Sequence, residues 1–308
     1  MEISFRSLTS CSLCPHNCKA RRFSDADGYC RIDYNYNISS IVNHHGEEPV
    51  ISGRKGICNI FFNHCNLQCV YCQNHQISAN NSKLKSKYDD LEQVISDIEQ
   101  CLRRGCKAIG FVSPSHQLPQ MLSIIRAFEN YHPRPVFVYN TNTYDKAEAL
   151  KELEGIIDVF LPDMKYVDGN LSKIYSGAHC YPEIAKKALQ EMLRQKGSAL
   201  HLDDDGLAIS GIIIRHMVLP GHVENSLGVL RFIAEELSPK LHISLMSQYY
   251  PTMNTKKISP LNRTLRKNEY DRVVNEMERL GLSNGWIQEL DSNDFYRPDF
   301  GKKHPFEG

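Results

Sequence analysis

The chain has 308 residues, 41% of them hydrophobic, which is enough apolar material for a substantial core and argues against a mainly disordered state. Lys and Arg total 36 and Asp and Glu total 36, so no net field draws the chain broadly to nucleic acid or to an anionic membrane. No run of about 18 apolar residues occurs, and the amino terminus lacks a basic segment followed by an apolar stretch, which predicts a soluble, cytoplasmic protein.

Residues 1–50 hold Cys11, Cys14, Cys18 and Cys30 among Arg, His, Asn and Tyr with little apolar periodicity. The segment reads as a small element ordered by a metal rather than by a core. Four thiolates within 20 residues suit structural zinc or an auxiliary iron-sulfur cluster equally on count, and an element without metal stays open. The chain carries 11 cysteines, eight of them in the first 72 residues. Without an export signal, ligation by reduced thiolates explains that density better than disulfides do.

From residue 51 the pattern changes. Short apolar runs at 57–62, 108–112, 136–139, 159–161, 212–219 and 242–246 predict six buried strands. Leu91, Val94, Ile95, Ile98 and Leu102 fall at helical spacing before Gly105, and further helices are expected around 118–130, 146–153, 182–195 and 225–237. This alternation predicts an α/β fold with a parallel sheet, open or curled into a partial barrel, over residues 51–250. Residues 251–308 form an extension with Pro251, Pro260, Pro298 and Pro305 and a helix near 266–280. Residues 197–210, with Asp203-Asp204-Asp205-Gly206, read as a solvated loop.

Polar clusters stand where the strands end: Ser113 to His116, Asn140 to Thr143, Asp163-Met164-Lys165 and Ser247-Gln248-Tyr249, with Arg215-His216 towards the middle of its strand. In parallel α/β folds chemistry lies at the carboxyl ends of the strands, so these clusters are expected to line one cavity. Directly after the first predicted strand come Cys65, Cys69 and Cys72, a C-x3-C-x2-C loop. A structural zinc wants four closed ligands, and His64 is the nearest fourth. Three thiolates suit a [4Fe-4S] cluster better, with one iron left open to a ligand that is not protein. Cys58 and Cys101 read as buried small hydrophobes, and Cys180 as a lone thiol that could face the cavity. His44, His45, Glu47 and Glu48 read as proton-transfer groups or as a solvated turn.

The cysteine loop, with Tyr71 before its last cysteine, resembles the signature of the radical S-adenosylmethionine (SAM) superfamily. Residues 46–53 and 61–74, Ser113 to His116, Tyr139 to Asn142, Leu161 to Tyr166 and Arg215 to Gly221 resemble its pyruvate formate-lyase activating-enzyme-like branch. The resemblance spans about residues 11–290 and implies a (β/α)6 partial TIM barrel. It also implies that the SAM methionyl group chelates the open iron of a cluster on Cys65, Cys69 and Cys72. An electron from that cluster then splits a C–S bond of SAM to give a 5′-deoxyadenosyl radical that abstracts hydrogen.

Carried over by position, Tyr71 packs near the adenine. Ser113 stands where the superfamily's Gly-Gly-Glu turn, absent here, holds the SAM amino group. Asp163 and Lys165 match the Asp-x-Lys of glycyl-radical activating enzymes. Asn140 replaces the Asp that those enzymes place beside a monovalent cation, and Arg215 approaches the SAM carboxylate, for which a guanidinium is well shaped. A surface ion pair is the plainer account of Lys165 and Arg215. The branch implies a glycyl-radical enzyme or another protein or peptide as substrate, reached through an open groove that the extension does not seal, and an electron donor such as flavodoxin or ferredoxin. The alternatives are a radical SAM enzyme acting on a small molecule and a zinc-binding structural protein without SAM chemistry.

Overall fold

A computed structural model describes residues 3–82, 86–290, 292, 297–302 and 305–306. The strands are β1 (Ile38–His44), β2 (Ile57–Phe62), β3 (Ala108–Val112), β4 (Val136–Thr141), β5 (Val159–Pro162), β6 (His201–Leu202), β7 (Ala208–Met217), β8 (His242–Met246) and β9 (Gly285–Ile287). Their order is β1-β2-β3-β4-β5-β7-β8-β9, with β6 paired to β7. Pairing is parallel from β2 through β9 along that path, and antiparallel for β1 on β2 and for β6 on β7. The sheet does not close on itself, so the architecture is the expected partial barrel with helices packed outside.

All six predicted strands are present, and the extra ones flank them. β1 comes from the cysteine-rich amino-terminal segment and β9 from the carboxyl-terminal extension, so both flanking segments add a strand to the sheet. Neither has a clean apolar pattern. β9 is three residues long, and β1 is interrupted by polar residues. The predicted solvated loop holds the short hairpin of β6 on β7, which starts β7 at Ala208 rather than Ile212. Parts of the extension, residues 291, 293–296, 303–304 and 307–308, lie outside the described residues. No helix among the described residues is long and apolar enough to cross a membrane.

Local chemistry explains the helix ends. Asp90 caps the helix Leu91–Arg103 by accepting from Gln93 N–H, and the helix buries Val94, Ile98 and Cys101. Asp168 does the same for a helix not anticipated from sequence, Gly169–Ser176, whose apolar stripe is too short to be periodic. The six core strands are buried at most positions, β2 at every one, because helices cover one face and the opposite face lines the barrel. Gly110 in β3 is required where it stands. A Cβ there would lie 2.1 Å from Asn59 Oδ1, an amide on β2 that turns into the barrel.

Candidate active site

A cavity of about 390 Å³ opens at the carboxyl ends of the parallel strands, a size ordinary for a small-ligand site. Its walls include Cys65, Cys69, Cys72, Tyr71, Ser113, Asn140, Asp163, Lys165 and Arg215, so nine residues singled out from sequence meet there. The polar clusters at the strand ends enter only in part. Arg215 faces the cavity, whereas its neighbour His216 points into the helix layer, as alternation along a strand requires. There it bonds the Met164 carbonyl at 2.6 Å and Ser226 Oγ at 2.8 Å, and so pins the turn that carries Lys165. Likewise Gln248 lines the cavity, while Ser247 and Tyr249 do not. Cys180, exposed at the start of the helix Tyr181–Lys196, is not in the lining. Cys58 and Cys101 are buried, as expected.

Each thiol of the Cys65 loop meets a hydrogen-bond donor. Asn142 Nδ2 and Leu67 N–H each lie 3.4 Å from Cys65 Sγ, Ser176 Oγ is 3.0 Å from Cys69 Sγ, and Ser78 Oγ is 3.1 Å from Cys72 Sγ. Burial pushes the Cys65 thiol up to about 12 and that of Cys69 to about 11, and it raises Cys72 as well. As thiolates the three therefore need a cationic partner. Three thiolates on one short loop suit a cluster that takes one at each of three iron corners, whereas a closed structural zinc takes four ligands. The loop and its lining of the cavity fit a cluster.

Opposite the sulfurs lies a buried charge network. Arg215 Nη1 donates to Glu47 Oε2 at 2.7 Å, its Nε lies 3.3 Å from Asp163 Oδ1 and 3.8 Å from Glu48 Oε1, and Lys165 Nζ pairs with Asp163 Oδ2 at 2.6 Å. Arg215 and Lys165 are only 16% and 18% exposed, so neither belongs to a surface ion pair. Glu47 and Glu48 are buried, not part of a solvated turn. Burial pushes both carboxyls up. For Glu47 the Arg215 and His44 charges and the bonds from Asn59 and Arg215 outweigh burial and hold it below the usual range. For Glu48 burial prevails over Arg215, the Glu47 charge adds to it, and its carboxyl is raised. Asn59, for which Gly110 leaves room, donates to Glu47 Oε1 at 2.9 Å.

Sequence reasoning left the roles of Glu47 and Glu48 open because nothing in the chain links them to an arginine 168 positions away. It missed the sulfur-bonding Ser176 for the same reason, since only the fold brings it to Cys69, 107 positions apart, and it missed Ser78, six residues after Cys72, because that spacing carries no motif. Three buried atoms here lack a hydrogen-bond partner among the described residues: Asp163 Oδ1, Glu48 Oε2 and Arg215 Nε. Arg215 Nε and Asp163 Oδ1 face each other at 3.3 Å without a well-aligned hydrogen bond, and Glu48 Oε2 has no partner, so the site keeps polar capacity that suits a ligand carrying both an ammonium and a carboxylate, as the methionyl end of SAM does.

Tyr71 closes the inner side of the cavity, buried, with its hydroxyl hydrogen-bonded to Tyr166 Oη. Ser113 takes a left-handed backbone at φ 50° and is held to β4 by its N–H on the Asn140 carbonyl at 2.7 Å. On the outer side Pro298 and Phe306 reach the lining, and Phe306 packs against His44 and Phe61 with ring centroids 4.2 and 5.3 Å away. The extension thus forms part of the wall.

A protein of Methanocaldococcus jannaschii described only as uncharacterised is 27% identical over 286 residues, which cover 92% of this chain and 78% of that one. Among solved structures, TYW1 with a lysine-pyruvate adduct bound superposes with a TM-score of 0.47 at 15% identity over 77% of each chain. HydG, a maturase of the [FeFe]-hydrogenase, gives 0.49 at 12% identity over 73% of this chain and 50% of its own, and a spore photoproduct lyase variant gives 0.48 at 11% over 74% of each. The sequence model of the radical SAM superfamily matches residues 59–233, which contain all three loop cysteines, and the chain belongs to that superfamily.

Proposed function

We propose that this radical SAM protein abstracts hydrogen from a protein or peptide, in the manner of a glycyl-radical-enzyme activator. The observation that carries the reading is the Asp163–Lys165 pair, an Asp-x-Lys at the end of β5, closed at 2.6 Å and facing the cavity. When bound, the cluster and SAM supply a single electron and, from it, a hydrogen-abstracting carbon radical.

The chain's own residues do the rest. Cys65, Cys69 and Cys72 hold the cluster, and the donors on their sulfurs tune it. Tyr71 supports the adenine, and Ser113 and Asn140 border the methionyl end. Asp163 Oδ1 and Glu48 Oε2 accept from the SAM ammonium or ribose. Arg215, held at Nη1 by Glu47, would turn its Nε from the long contacts with Asp163 and Glu48 to the carboxylate. Buried walls keep water from the reacting carbon. In this reading residues 51–250 are the radical SAM core, residues 1–50 a cysteine-rich element that braces it and residues 251–308 an extension that packs on it. A flavodoxin or ferredoxin supplies the electron.

One observation favours small-molecule chemistry instead: Phe306 and Pro298 stand where an entering protein loop would need open space. Anaerobic incubation with SAM, reduced flavodoxin and a glycyl-radical enzyme separates the two. A carbon-centred glycyl signal in electron paramagnetic resonance (EPR), formed in step with 5′-deoxyadenosine, is the expected result. Formation of 5′-deoxyadenosine that depends on a low-molecular-weight fraction, with no protein radical, would establish the second reading.

A further inference from the structure

The four amino-terminal cysteines stand outside the cavity and outside the chemistry above, yet the structure gathers them around an unusual cation. Arg22 is 1% exposed. Its Nη1 donates to the His116 carbonyl at 2.7 Å and lies 3.9 Å from Cys11 Sγ, and its Nε reaches the Ile32 carbonyl at 3.4 Å. Its Nη2 is buried with no hydrogen-bond partner, and no carboxylate lies within ion-pair distance, both among the described residues. A guanidinium is a permanent cation, and one buried without a counter-charge is strongly unfavourable. Carbonyl oxygens offset part of that cost, and neutral thiols offset little.

Cys11, Cys14 and Cys30 are buried and Cys18 is exposed. The segment folds back on itself through Cys11 N–H to the Ala20 carbonyl and Lys19 N–H to the Cys11 carbonyl, both at 2.9 Å, a Cβ on Gly28 two residues before Cys30 would lie 3.0 Å from Cys18 Sγ, and Arg22 touches Cys11. Four thiolates on a cationic metal core would carry the net negative charge that Arg22 lacks.

The set also touches the SAM loop. His16, between Cys14 and Cys18, bonds the carbonyl of Asn66 at 2.7 Å, and Asn66 follows Cys65. The His16 ring stacks on Tyr29 at 3.6 Å, Tyr29 precedes Cys30, and Asn80 joins the two segments by donating to the Tyr29 carbonyl at 2.8 Å and accepting from Cys65 N–H at 3.1 Å. A redox-inert zinc would draw no benefit from that contact.

We propose that Cys11, Cys14, Cys18 and Cys30 bind a second iron-sulfur cluster whose counter-ion is buried Arg22, and that this cluster passes single electrons to the SAM-loop cluster across the His16–Asn66 contact. The exchange balances as one electron: the amino-terminal cluster is oxidised by one unit as the loop cluster is reduced by one, and an external flavodoxin or ferredoxin restores it. The inference rests on the loop cluster only as the electron acceptor. The amino-terminal site is tested in a chain that lacks the loop cluster, so the two can fail separately.

The full chain carrying Cys65→Ala, Cys69→Ala and Cys72→Ala, reconstituted anaerobically, should retain about four irons and a reducible EPR signal. One zinc without iron, or neither metal, overturns the proposal. On that background Arg22→Met should shift the midpoint potential of the signal negative by roughly 60 mV or more, a tenfold change in a one-electron equilibrium. If the Met variant does not fold, Arg22→Gln, which keeps a donor for the His116 carbonyl, reads the same shift. An unchanged potential removes Arg22 as counter-ion. With both clusters reduced, the wild-type spectrum should show mutual broadening that is absent from the loop-cysteine variant. A spectrum that is the simple sum of two isolated centres overturns the electron exchange.

Discussion

The two cysteine groups of this chain contrast in what surrounds them. Cys65, Cys69 and Cys72 form part of the wall of a cavity, take hydrogen bonds from Asn142, Ser78 and Ser176, and share it with three acids and two cations in one network. Cys11, Cys14, Cys18 and Cys30 border no part of that cavity and lie by Arg22, a cation without a counter-charge among the described residues. Three ligands beside a charged, partly unsatisfied pocket would leave room for chemistry at a metal, whereas four ligands around a buried arginine, as proposed above, would leave none. Ligand count sets which iron is open, and the neighbouring polar groups set what can bind there.

The sharpest way to break this contrast is to remove the ligands. Replacing Cys65, Cys69 and Cys72 together with Ala should abolish reductive SAM cleavage, read as 5′-deoxyadenosine formed with dithionite under argon. Activity that survived would mean that the cavity is not where SAM is cleaved.

The charge network comes next. Arg215→Ala leaves Glu47 buried and unpaired, for which a loss of about 3–5 kcal/mol is expected in urea unfolding. Combining Arg215→Met with Glu47→Gln should recover most of that stability without recovering SAM affinity. Recovery of both would reduce Arg215 to a purely structural residue.

A pH series separates the two glutamates. The Glu48 carboxyl is raised, so its contribution to stability is full below the ordinary carboxylate pKa and is lost as pH rises through its folded value. Glu47 is lowered, and its contribution is lost as pH falls through its folded value. Glu48→Gln should therefore flatten the alkaline side of a plot of melting temperature against pH and leave the acid side sloping. An unchanged alkaline side would show that Glu48 is ionised throughout.

The smallest effect is expected at the sulfur donors. Ser176→Ala removes the 3.0 Å bond to Cys69 and should lower the loop-cluster potential by roughly 20–60 mV in EPR-monitored titration, a fraction of a hydrogen bond to a charged group. The amino-terminal signal should not move.

What was legible in the chain follows from locality. Each core strand is a continuous apolar run because it is covered on both faces, and each long helix shows its buried stripe over three or more turns, so six strands and their helices could be read in order. The loop cysteines were legible because their ligand geometry is written in spacings of three and two residues. β1 and β9 escaped because an edge strand needs only backbone partners and leaves no clean pattern. Arg215 was expected to hold a carboxylate of SAM, but one edge of its guanidinium already holds Glu47, and spacing carries no information about a pair 168 residues apart. Sequence thus determined the sheet, the cluster loop and the residues gathered at the strand ends. Only the fold decided which of those face inward, which are already paired and that Arg22 lies buried beside Cys11, because burial and charge pairing depend on neighbours that chain distance does not encode.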